Sequence, residues 1–276
     1  MRVLVLALSC ACGLVACSGA REPSQASASG SAAAVVPVAA SAAASASQAG
    51  VPAIAAGGVK DANELFEFEY AWPAAAGAIP ALRDEFDAEI ANEKNELAQT
   101  AREGRQAAKE NGFEFHAYDY WKEWQVVTDL PGWLSLSANI HSYEGGAHPN
   151  SNFDSLIWDR QANRRRAVAD LFASPAALSG AIRADFCREI DRQRKDKRGD
   201  EWEAGGSFTE CIDPVENGSI ILGSSNRKAF DRIGILVPPY NAGPYVEGSY
   251  EVTLPVTPAI LAAVKPEYRA TFAVKR

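Results

Sequence analysis

The chain has 276 residues with 27 basic against 35 acidic, a formal net charge of −8. That balance repels nucleic-acid phosphates and anionic lipid headgroups, so neither is an expected ligand, and it favours a cationic partner. Taken alone, mild acidity is better read as keeping a protein soluble.

The chain opens as an export signal: one positive charge, Arg2, then the apolar run Val3 to Leu8 and a small-residue cleavage region. The run is too short to span a bilayer as a helix. Leu14-Val15-Ala16-Cys17 is a bacterial lipobox, so residues 1–16 are expected to leave and Cys17 to carry the lipid. One acyl chain anchors weakly, but the two or three of a lipoprotein hold stably. Ser18 after the cysteine, rather than Asp, favours the outer membrane facing the periplasm. Losing Arg2 leaves 26 basic against 35 acidic residues, a mature charge of −9. Of the five cysteines, Cys10 and Cys12 leave with the signal and Cys17 is acylated. Cys187 and Cys211 remain, an even pair in an oxidising compartment, and a disulfide is expected. Zinc is disfavoured because no CxxC or HxxxH spacing accompanies the pair.

Residues 17–58 are almost entirely Ala, Ser, Gly, Val and Pro. Without large side chains to offset the entropy of ordering, they read as a disordered, flexible tether. All Trp and Tyr residues lie beyond it, in a stretch long enough for one sizeable core or two small ones.

Leu65 to Tyr70 alternates apolar and polar residues, as a half-buried strand does. Pro80 then begins a helix in which Leu82, Phe86 and Ile90 recur every four residues, Leu97 and Ala101 continue the stripe, and Asn111-Gly112 ends it. Its acidic early turns (Asp84, Glu85, Asp87, Glu89) suit the positive end of the helix dipole and read as a solvated face. Strands are expected near Ala117–Val127, Trp133–Tyr143 and Phe153–Asp159, the last two joined as an antiparallel hairpin by the glycine-rich loop 144–150. Ser174 caps a second helix with Pro175 at its first position, and Leu178, Ile182, Phe186 and Ile190 form its buried stripe. Its basic end (Arg192, Arg194, Lys195, Lys197, Arg198) reads as dipole matching and solvation. Short strands near Ser219–Leu222, Ile233–Val237 and Tyr250–Leu254 follow, and Pro258 opens a last short helix. The expected fold is α+β: a largely antiparallel sheet with two main helices packed on it.

No GxSxG, HExxH, Walker or GxGxxG pattern is present. Ser225 to Lys228 fits SxxK, but the companion SDN and KTG boxes are absent, so the match reads as chance. His141 and His148 flank the hairpin loop with Glu144 between them. Residues three apart on a strand point to opposite faces, so a hydrogen-bonded loop is a better reading than a metal site. No catalytic residue, metal or cofactor is therefore assigned. Two glycine-rich segments are more distinctive. One holds Tyr143, Glu144, Gly145, Gly146 and His148, and the other holds Tyr240, Tyr245 and Tyr250. Tyr and Gly in loops suit a recognition surface, and suit buried corners equally well.

The GGAHP loop, Asn152-Phe153-Asp154 and Val168 to Phe172 resemble one bacterial domain of unknown function and its junction to a second. Pro239-Tyr240, Gly243-Pro244-Tyr245 and Gly248 to Pro255 resemble that second domain. This pair forms the extracellular part of the lysozyme-binding anti-sigma factor RsiV, and a related region precedes the catalytic domain of the peptidoglycan deacetylase PdaC. The resemblance implies one RsiV-like segment over 59–159 and another over 160–276, and because no linker separates them around Arg160 to Arg166 they are expected to share one compact fold and one sheet. It also implies a binding module rather than an enzyme, with lysozyme or a peptidoglycan-associated ligand as partner. The chain shows neither a sigma-factor-binding segment nor a deacetylase domain. A purely structural envelope lipoprotein, and an enzyme using His148 and Glu144 on peptidoglycan, stand as alternatives.

Overall fold

The computed structural model describes residues 56–199 and 205–275. The signal, Cys17 and the tether up to residue 55 lie outside the described residues. No helix among the described residues is long and apolar enough to cross a membrane.

The first sheet has six strands hydrogen-bonded in chain order: β1 (Gly57–Ala62), β2 (Phe66–Trp72), β3 (Tyr118–Leu130), β4 (Trp133–Tyr143), β5 (Asn150–Asp159) and β6 (Arg164–Arg166). All neighbours are antiparallel except β2 and β3, which run parallel. A parallel pair cannot be joined by a tight turn, and the connection here is the one-turn α1 (Ala74–Gly77) followed by the long α2 (Pro80–Asn111). Pro80 sits at the start of α2, and Gly112 ends it in the left-handed region at φ 72°. The predicted stripe is the buried one: Leu82, Phe86, Ile90, Leu97 and Ala101. It packs on Phe66, Phe68, Tyr70, Trp124, Leu134, Leu136, Leu156 and Trp158 of the sheet. Burying each such side chain contributes about 1.5–3 kcal/mol.

The remaining strands, β7 (Ser219–Gly223), β8 (Arg232–Val237) and β9 (Tyr250–Pro255), form a separate antiparallel sheet. The single shared sheet expected from the sequence is thus replaced by two, with β6, from the second segment, completing the first sheet. The sheets meet through a core that joins Leu130, Trp133 and Ile157 to residues of all three later strands. The same core takes the stripe of α3 (Pro175–Arg198), namely Leu178, Ile182, Phe186 and Ile190, together with Ile260 of α4 (Pro258–Ala263). Ser174 caps α3, its Oγ accepting from the Ala177 N–H at 3.0 Å. Cys187 on α3 is disulfide-bonded to Cys211, with the Cα atoms 5.4 Å apart.

A bulge explains how one strand serves both cores. The β3–β4 register shifts between Val126 and Thr128. Before it, Lys122 and Trp124 lie on the α2 side; after it, Leu130 pairs with Trp133 on the opposite face. One extra residue inverts the alternation, which is why the strand reads from sequence as ending at Val127.

Lys122 sits on the apolar side of this strand and is only 2% exposed. Its Nζ donates to Glu89 of α2 and, at 2.8 Å, to Asp154 of β5. The Tyr70 hydroxyl donates to the other Glu89 oxygen at 2.9 Å, and Trp124 Nε1 donates to that hydroxyl at 2.6 Å. Glu89 therefore does not belong to a solvated face. Removing one partner from such a network leaves uncompensated buried charge. Lys122→Ala should lower the unfolding free energy by about 3–5 kcal/mol in urea titration. Arg188→Ala, which breaks an exposed i,i+3 pair with Asp185, should cost less than about 1 kcal/mol. Equal small losses would show that the network does not hold α2 to the sheet.

Candidate functional site

The two Gly/Tyr segments predicted from sequence meet at one end of the molecule. The first is the β4–β5 hairpin loop. Gly145 and Gly146 have φ values of 84° and 101°, a region open to glycine but strained for other residues. The Tyr143 hydroxyl closes the turn by donating to the Gly146 carbonyl at 3.1 Å. Glu144 is exposed. The second segment links β8 to β9 and contains a short 3₁₀ turn, Tyr245–Glu247.

His148 joins them. Its Nδ1 lies 2.9 Å from the Pro149 carbonyl, an acceptor, so Nδ1 carries the proton. Nε2 is then the acceptor for the Tyr240 hydroxyl at 3.0 Å, across 92 residues of sequence. The imidazole also stacks on Tyr245, with ring centroids 3.8 Å apart and planes inclined by 17°. Tyr240 and Tyr245 are themselves 5.7 Å apart, so the three rings form one cluster. Tyr240 is 51% exposed and Val246 is 90% exposed. Tyr240 also has φ 71°, as unusual for a tyrosine as the φ of 55° at half-exposed Phe208. Strained backbone at exposed aromatics persists only where the surroundings hold it.

The holding group is the basic end of α3. Arg198 makes a two-pronged pair with Glu247, Nε to Oε1 at 2.7 Å and Nη2 to Oε2 at 3.1 Å. Lys197 Nζ donates to the Glu247 and Ser249 carbonyls, each at 2.7 Å, and lies 3.8 Å over the Tyr250 ring. Buried Arg194 donates to the Ala242 carbonyl at 2.8 Å. This end of the helix is thus a clamp on the second loop rather than a solvated tail. A Cβ at Gly243 would meet the Glu247 carboxylate and the Tyr250 hydroxyl, so a side chain there would have to push the Arg198-held carboxylate aside. Tyr250 is buried and its hydroxyl donates to Glu247. It supports the loop from beneath, whereas His148, Tyr240 and Tyr245 form the accessible cluster. Burial and the Glu247 carboxylate push its phenol up to about 12.

A polar groove of about 460 Å³ adjoins the cluster, with Ser151, Asn152, Asn217 and Asn241 among its lining residues. The other sequence candidates go elsewhere. His141 faces Asp119 at 3.1 Å on the sheet, away from His148. Ser225 is engaged with Asp231, which fixes its turn and leaves the SxxK match without a catalytic setting. Among the described residues, no group of three His, Cys, Asp or Glu side chains is placed to hold a metal ion. Sequence reasoning missed the clamp and the Lys122 network. The alternation Tyr120-Lys122-Trp124, which puts a lysine on an apolar face, was the available signal for the latter. Beside that network, burial pushes the Glu85 and Glu93 carboxyls up.

Burial alone would raise the Glu247 pKa, but hydrogen bonds from Arg198 and Tyr250 and the nearby positive charges outweigh it and hold it below the carboxylate range. A depressed folded value means that its stabilisation is complete above the ordinary value and is lost as pH falls through the depressed one. Glu247→Gln should cost roughly 2 kcal/mol at pH 7, and its urea-unfolding free energy should fall less steeply than the parent's below about pH 4.5. Parallel curves would show that the clamp does not depend on this charge.

Residues 59–151, from β1 through the GGAHP loop to the start of β5, match the family described as Deacetylase PdaC. A DUF3298-family protein of Bacteroides fragilis is 17% identical, with a TM-score of 0.49, over 72% of this chain and 88% of that one. A DUF3298-family protein of Pseudomonas aeruginosa is 12% identical, with a TM-score of 0.44, over 80% of this chain and 97% of that one. No curated protein gave a significant match. Over residues 59–151, then, the chain is similar to that family.

Proposed function

We propose that this chain is a non-catalytic binding module of the bacterial envelope. Lipid on Cys17 holds it at the outer membrane, and it captures a protein or cell-wall component through the His148–Tyr240–Tyr245 surface. The observation that carries the reading is the union of two loops 92 residues apart into one exposed aromatic cluster. The basic end of α3 pre-forms that cluster before any ligand arrives. Aromatic side chains fixed in place offer large contact area at little further entropy cost, which is the economy of a recognition surface. His148 has both ring nitrogens engaged in holding the loops together, a positioning role rather than that of a free acid or base.

Lysozyme is the sharpest form of the proposal. The sequence resemblance to the extracellular part of a lysozyme-binding anti-sigma factor favours it, and a mature charge of −9 suits a strongly basic partner of the animal type. A wall fragment in the adjoining groove of hydroxyl and amide side chains is the other ligand within the same reading.

The test is calorimetry of the full chain with animal-type lysozyme at two salt concentrations. Micromolar or tighter binding, a ΔG of about −8 kcal/mol or better, should persist with modest weakening at the higher salt. Tyr240→Ala should weaken it about tenfold or more. Absence of binding, or binding abolished by moderate salt, would remove lysozyme as the ligand. Undiminished binding by Tyr240→Ala would remove the loop surface as the site.

A further inference from the structure

The three-stranded sheet covers only part of the first sheet's far face. The face next to Trp133, Ser135 and Ile157 is closed by β7–β9; the part built by β1 to β4 stays open to solvent. Strand register puts Lys60, Glu69, Trp121 and His141 in one row across this open part. Glu67 and Asp119 form the next row and sit directly opposite each other on β2 and β3. A cleft of about 450 Å³ opens here, lined by Lys60, Glu67, Glu69, Asp119 and Trp121.

We propose that this Trp121-centred face is a docking surface for an arginine-bearing protein segment. The proposal rests on the reading of the chain as a binding module but uses a surface separate from the aromatic loops. Charge is the first argument. Lys60 is already engaged with Glu69 at 2.7 Å, which leaves Glu67 and Asp119 without a lysine or arginine partner among the described residues. Like charges directly opposite on neighbouring strands destabilise a sheet, and a cation laid between them relieves that repulsion. The second argument is access: the Asp119 side chain is 36% exposed and has only His141 Nε2 beside it, 3.1 Å from Oδ1 and not hydrogen-bonded to it. A carboxylate so placed gains from an incoming charged donor. The third is Trp121. A large ring beside paired carboxylates suits a guanidinium, which stacks on the indole while its fork reaches both acids; an ammonium cannot do both. Lysine is thus a poorer fit than arginine, and an anionic ligand is rejected.

The test uses the full chain and the capped peptides tetra-arginine and tetra-lysine, with the chitin tetrasaccharide as an uncharged probe, all at about 0.15 M salt. Tetra-arginine should bind and perturb tryptophan fluorescence, at least about fivefold more tightly than tetra-lysine. Trp121→Ala and Glu67→Gln should each weaken it by about fivefold or more. Glu67 is exposed, so its substitution leaves the core intact and separates lost docking from lost folding. Tyr240→Ala should leave tetra-arginine binding unchanged even where it abolishes lysozyme binding, which distinguishes failure of this surface from failure of the loops. Equal binding of the two peptides, indifference to Glu67→Gln, or no binding would overturn the proposal. A response at Trp121 to the tetrasaccharide but not to tetra-arginine would make the face a glycan platform instead.

Discussion

Attachment of the three-stranded sheet to one end of the first sheet's far face governs most of what this fold presents to solvent. Leu130, Trp133 and Ile157 supply the apolar contact, and the Leu222 N–H donates to the Ser135 Oγ at 3.3 Å in a buried setting. The bulge after Val126 makes the contact possible, because without it Leu130 would point at α2. Once β7–β9 are seated there, the β8–β9 connection comes to lie beside the hairpin loop, and His148 meets Tyr240 and Tyr245. The same placement leaves the sheet face around Trp121 uncovered.

Two charge networks then stabilise the two halves in different ways. On the α2 side, one lysine is surrounded by carboxylates and aromatic rings, and every strong donor has an acceptor. Such a network contributes more to specifying register than to net stability, since desolvation offsets much of its attraction. On the α3 side, the helix end holds a loop through backbone carbonyls and one carboxylate, Glu247. Carbonyls buried under a helix terminus gain charged donors there, and the loop is fixed without making a strand. Rigidity is thereby delivered to the segment whose side chains remain exposed.

The long-period features were legible in the sequence. Both main helices, their proline starts, the glycine end of α2 and their buried stripes follow from spacing alone, because a four-residue recurrence has no competing explanation over several turns. The hairpin and the three later strands were also legible. Less so was β1, whose Gly57-Gly58 start resembles the tether and whose order comes from pairing with β2. The short β6 carries three arginines and no apolar pattern. The parallel β2–β3 pairing and the division into two sheets depend on which surfaces meet, and local alternation is silent on that. Glu89, Lys197 and Arg198 look like solvated residues because each has partners 19 to 52 residues away. Of the candidate binding residues, the loop positions were visible as Gly/Tyr composition, whereas the burial of Tyr250 and the exposure of Tyr240 required the tertiary arrangement.

The central claim is that the hairpin loop and the β8–β9 loop form one pre-built aromatic surface in the absence of ligand. Nuclear Overhauser contacts between the ring protons of His148 and Tyr245 in the unliganded full chain test it most directly. The account predicts strong contacts that weaken markedly in Arg198→Ala, where the two-pronged pair with Glu247 is lost. Absence of these contacts in the parent protein, or their undiminished persistence in that variant, would contradict it.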